Sequence, residues 1–140
     1  MRLTIVNLRN LDLRDFIQSF LIPKIQEYFM SVVDCRRSQK IDDYIGTINL
    51  SLYNRKISMR EVLVASIFNL VYTRYKDGKY VISIDPVKKL PNTKAKIIEL
   101  AHMINYGTLS SPAYPIFDQV FNKFSTMLPD LYNEYIRGTR

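Results

Sequence analysis

A chain of 140 residues with 47% hydrophobic and 12% aromatic content is long and apolar enough to bury the core of one domain, which excludes a tail or a linker. Its formal charge of +7 is local: residues 55–98 carry ten Lys or Arg against three acids, whereas residues 1–54 carry seven against six and residues 99–140 three against four. Such a bias suits a polyanion or an acidic protein surface, and equally a solvated basic face.

Cys35 is the single cysteine, so a disulfide within the chain is excluded and a reducing compartment is expected. The start, Met1 to Asn7, lacks the apolar stretch of ~7–15 residues that a signal peptide needs. No run approaches the ~20 apolar residues of a membrane span, so no membrane partner is expected.

In chain order, Met1 to Val6 alternates weakly, as an edge strand or an arm would. From Asp12 the apolar positions Phe16, Ile17, Phe20, Leu21, Ile25, Tyr28, Phe29, Val32 and Val33 fall at helical spacing. Pro23 sits within that stripe and predicts a kink near Ile22, because proline removes a backbone donor and crowds the preceding turn. Arg36 to Asp43 reads as a charged loop. Ile48, Leu50 and Leu52 alternate with polar residues and predict a strand over Thr47 to Leu52, with Asn54 to Lys56 turning the chain into the next element.

Ser58 followed by Glu61 is a capping box, and Ile57 against Val62 completes a hydrophobic staple. From Val62 to Val71 only Ser66 and Asn69 are polar, which predicts an apolar helix at the centre of the domain, with Phe68 in its core face. Asp77-Gly78 predicts a hairpin with a two-residue turn, pairing Tyr75 with Tyr80, Thr73 with Ile82 and Val71 with Ile84. Two strands alone are marginal, so Thr47 to Leu52 is expected as the third. Pro86 to Lys96, with four lysines and no acid, reads as an exposed connection. Asn92 or Thr93 caps a helix carrying Ile97, Leu100, Ala101 and Ile104 and ending at Gly107. After a loop from Thr108, Pro115 opens a helix with Ile116, Phe117, Val120, Phe121, Phe124 and Leu128 on one face. Pro129 interrupts it, leaving a short last helix with Leu131, Tyr132, Tyr135 and Ile136. The fold class expected is α+β, mostly helical: an apolar central helix, a small antiparallel sheet with the hairpin at Asp77-Gly78, and outer amphipathic helices.

Chemistry is sparse. One histidine, His102, and one thiol give no metal set and no nucleophile paired with a base. Four scattered glycines make no phosphate-binding loop, and Asp42-Asp43 is the one adjacent acidic pair. No cofactor is expected, and the chain reads as a non-enzyme. Two surfaces remain as candidates. Tyr75 and Tyr80 interleave with Arg74, Lys76 and Lys79, and with Lys88 and Lys89 beyond them these residues suit nucleic acid, rings stacking on bases while cations meet phosphates. Leu131, Tyr132, Tyr135 and Ile136, or the loop Thr108 to Tyr114, are surplus apolar surface suited to another protein subunit.

The C-terminal half, Lys96-Ile-Ile-Glu-Leu-Ala-His-Met-Ile-Asn-Tyr-Gly107 followed by Tyr114-Pro-Ile-Phe-Asp-Gln-Val-Phe121, resembles small uncharacterised proteins of tailed bacteriophages. The resemblance implies a virion structural or assembly component, located in the virion or in host cytoplasm during assembly. It carries no functional residue across.

Overall fold

The computed structural model describes residues 1–35, 44–49, 54–109 and 112–138. The order is β1 (Arg2–Ile5), a π-helical segment (Phe16–Leu21), α1 (Ile22–Cys35), β2 (Tyr44–Asn49), β3 (Asn54–Ser58), α2 (Met59–Ile67), β4 (Leu70–Arg74), β5 (Tyr80–Ile84), α3 (Ile97–Tyr106) and α4 (Ile116–Gly138). The fold is α+β and mostly helical, with a small antiparallel sheet. The predicted charged loop Arg36 to Asp43, and with it Asp42-Asp43, lies outside the described residues, as do Leu50, Leu52 and the side chain of Cys35.

The three-stranded sheet runs β1-β5-β4, and β2 pairs with β3 in a separate ribbon. The third strand of the hairpin sheet is therefore the N-terminal one. The stretch expected to supply it pairs instead with Asn54–Ser58, which is a strand where a turn was expected. In β1 the odd positions Leu3 and Ile5 are buried against β5, and Arg2 and Thr4 face out.

The hairpin register differs by one residue from the expected one: Arg74 pairs with Tyr80, Tyr72 with Ile82 and Leu70 with Ile84. Tyr75 donates its N–H to the Lys79 carbonyl and Gly78 donates to Tyr75, both at 2.9 Å, so the loop is longer than the two-residue turn. Gly78, at φ +88, takes the left-handed position that closes such a loop. Because side chains alternate, a slip of one residue exchanges the faces of β4, and Tyr72 rather than Thr73 joins the core side.

Pro23 acts on the turn before it. The Ile22 N–H reaches back to the Ile17 carbonyl, five residues away, and this wider winding makes room for the proline ring at the start of α1. α2 starts as predicted, with the Ser58 hydroxyl accepting the Glu61 N–H at 3.1 Å. It buries Val62, Leu63, Ser66 and Ile67 but is not covered all round. Phe68 is its C-terminal cap and is 55% exposed, because the chain has already left the helix for β4. Ser66 and Asn69, the polar residues in this stretch, return their side chains to backbone carbonyls one turn earlier.

α3 begins at Ile97 with Lys96 at its cap and no capping side chain; Thr93 binds the Leu90 carbonyl and the Ala95 N–H in the preceding turn instead. Gly107 ends it at φ +80, as expected. α4 runs unbroken through Pro129, contrary to the expected interruption. Its buried stripe, Phe117, Val120, Phe121, Phe124 and Leu131, stays in phase across the proline, and the burial of that stripe outweighs the one lost hydrogen bond. The largest buried side chains, Tyr80, Phe29, Phe117 and Phe121, place the centre of the core between α1, β5 and α4.

Candidate docking groove

The segment after β1 decides what the surface offers. Asn7 folds it locally: its side-chain amide donates to the Leu11 carbonyl at 2.8 Å and to the Gly78 carbonyl at 3.1 Å, and its oxygen accepts the Leu11 N–H at 3.0 Å. Asn10 closes a turn by donating its N–H to the Asn7 carbonyl at 3.2 Å and then takes φ 50, a left-handed position that asparagine tolerates. The loop is thereby clamped both to itself and to the tip of the β4–β5 hairpin.

Clamping fixes which side chains face outward. Val6 is 69% exposed and Leu8 93%, and Leu11 is also exposed. Beside them opens a groove of about 480 Å³. Residues 4–9 with Leu11 and Leu13 form one wall, and Ser125, Leu128, Pro129 and Tyr132 of α4 form the other, with Phe16 between. Pro129 on this wall has no N–H to give to the Ser125 carbonyl one turn earlier. Arg9 is the one charged residue in the lining.

The tyrosine-rich C-terminal segment is not a free surface. Leu131 is 5% exposed and belongs to the core, so its expected role in docking is corrected. Tyr132 meets Phe16 edge-on at 5.2 Å, and Tyr135 packs on Phe16 at 5.3 Å and on Phe20 at 5.7 Å. The Tyr135 hydroxyl donates to Asp15, a bond that also pushes its phenol pKa up. Ile136 is half-buried. Of the four residues only Tyr132 reaches the groove. In the loop from Thr108, Tyr114 donates its N–H to Ile104 and is half-buried, and residues 110 and 111 lie outside the described residues.

The basic residues do not converge. Arg74, Tyr75, Lys76 and Lys79 sit at the hairpin tip, whereas Lys88 and Lys89 follow the far end of β5, a five-residue strand rising about 3.3 Å per residue. Tyr80, expected to stack on a base, has 0% exposure and accepts the Leu13 N–H through its hydroxyl. Arg74 lies 5.8 Å from the Tyr80 ring and Lys79 lies 5.0 Å from the Tyr75 ring. The tip aromatics are therefore partly occupied by the cations meant to flank them.

The polar clusters elsewhere are satisfied within the chain. Arg14 forks onto Asp12, with Nη2 to Oδ2 at 2.7 Å, and this guanidinium holds the Asp12 carboxyl well below the usual range. The Met1 ammonium lies 2.9 Å from Asp118, whose carboxylate also accepts the buried Asn105 amide. Burial raises the Asp118 pKa, but these hydrogen bonds and the ammonium charge outweigh it and the net shift is downward. Exposed His102 lies 4.5 Å from the Tyr106 ring. Among the described residues no three His, Cys, Asp or Glu side chains gather as a metal ion would need, and no helix is long and apolar enough to cross a membrane.

No family model, curated protein or solved structure matches the chain.

Sequence reasoning passed over Val6, Leu8 and Leu11. Phase would have found Val6, since Leu3 and Ile5 are the inward positions of β1 and the next residue points away from the core; Leu8 and Leu11 follow the strand, where alternation gives no signal.

Proposed function

We propose that the protein is a non-enzymatic protein–protein interaction subunit, a small structural or assembly component of a tailed-bacteriophage virion. It acts by docking other subunits, in the virion or in host cytoplasm during assembly. The observation that carries the docking function is the groove beside Leu8: two neighbouring aliphatic side chains held in water by an ordered loop, next to an apolar cleft. Isolated exposed aliphatics are ordinary, but exposed aliphatics continuous with a groove mark contact sites. The phage setting is supported by the resemblance of residues 96–107 and 114–121. The separation of the cations into two groups and the burial of Tyr80 favour protein contact over the nucleic-acid reading.

The test is mass measurement in solution on protein purified from its native source. The wild type should elute in an assembly heavier than its own 16.5 kDa. Leu8→Asp should keep the circular dichroism of the wild type and be released from that assembly. Wild-type protein recovered as a free monomer, or Leu8→Asp assembling normally, would refute the reading.

A further inference from the structure

The groove has a charge as well as a shape. Its one charged lining residue is Arg9, and the Asn7 amide ties this loop to Gly78, which brings the hairpin tip with Arg74, Lys76 and Lys79 beside it. Of the acids nearby, Asp12 is paired with Arg14, and Asp77, which accepts the Lys79 backbone N–H, is a single negative charge among the tip cations. Asp130, next to Pro129, projects from another side of α4, since adjacent helical residues are turned by about 100°. A hydrophobic cleft is thus bordered on one side by cations that outnumber its acids.

We infer that the groove receives an acidic segment of another protein, anchored by apolar side chains between Leu8 and Pro129, with its carboxylates on Arg9 and the hairpin tip. The inference rests on the docking function proposed above and adds the chemistry of the partner. A second copy of this chain fits poorly, because it would bring the same Arg9, Lys76 and Lys79 against one another. An acidic partner gains attraction at the rim and area in the cleft.

The experiment is selection of a displayed library of random dodecapeptides on the full chain, with counter-selection on Leu8→Asp. Peptides that survive should combine Leu, Ile or Phe with Asp or Glu and be poor in Lys and Arg. A synthetic copy of the best peptide should bind with an affinity that falls as salt rises. Arg9→Glu with Lys79→Glu should weaken it about tenfold or more. Peptides dependent on Leu8 but without acids, or affinity indifferent to salt and to the charge reversals, would overturn the acidic partner while leaving the docking function standing. Failure to select any Leu8-dependent peptide would overturn the inference. So would a wild-type dimer that Leu8→Asp dissociates, which would assign the groove to a second copy.

Discussion

Leu131→Ala with Tyr132→Ala separates a core role from a docking role for the last turns of α4. Leu131 is almost wholly buried, and truncating a buried leucine costs about 2–5 kcal/mol, from lost transfer energy and the cavity left behind. Tyr132 is half-buried with its ring edge-on to Phe16 at 5.2 Å, so it should lose about half of the ~3–5 kcal/mol of a fully buried aromatic. Adjacent sites are not additive, and a combined loss of about 4–6 kcal/mol is expected. That approaches the whole stability of a small domain, about 5–15 kcal/mol. Urea titration followed by far-ultraviolet circular dichroism measures it, with Tyr75→Ala at the exposed hairpin tip as a control expected to stay within about 0.5 kcal/mol. A double variant less than about 1 kcal/mol below wild type would mean that this segment is not part of the core, and would return it to consideration as a docking surface.

Two further outcomes follow from the ends of helices. Ser58→Ala should cost about 1 kcal/mol through the lost N-cap, Ile67→Ala about 2–5, and Phe68→Ala about 1 or less because it lies outside the core; denaturant melts that rank Phe68 above Ile67 would contradict the placement of the α2 terminus. Asp118 is depressed in the folded chain, so its contribution is complete above its unfolded pKa of about 3.9 and is lost as pH falls through its lower folded pKa. Asp118→Asn should therefore make acid unfolding less steep while lowering stability at neutral pH, and an unchanged acid limb would refute the assignment.

Much of the fold could be read from residue spacing. The Ser58–Glu61 cap, the apolar stripes of α1 and α4 and the Gly107 stop are local signals, and local chemistry decides them. Where the reading went astray, distant contacts decided. The sheet took β1 instead of the stretch after Thr47 because Leu3 and Ile5 complete the buried face of β5, a pairing of the first strand with one in the middle of the chain that no nearby residue announces. Asp77-Gly78 marked the hairpin but not its register, since the loop extends from Tyr75 to Lys79 and one residue of slip exchanges the faces of β4. Pro129 looked like a stop because its local cost is visible in sequence, whereas the compensating burial of Leu131 is not. The candidate site was less legible than the fold. It depends on Asn7 reaching Gly78, 71 residues away, and on α4 passing beside the segment that follows β1.

The central claim is that the surface formed by residues 4–13 and 125–132 is covered when the protein is at work. Hydrogen exchange read by mass spectrometry, comparing the purified chain with the same chain in the assembly from its native source, tests it directly. Slower exchange in peptides spanning residues 5–11 and 125–132, with peptides of α3 unchanged, is the predicted result. Equal exchange of both segments in the two states, with protection elsewhere, would contradict the account.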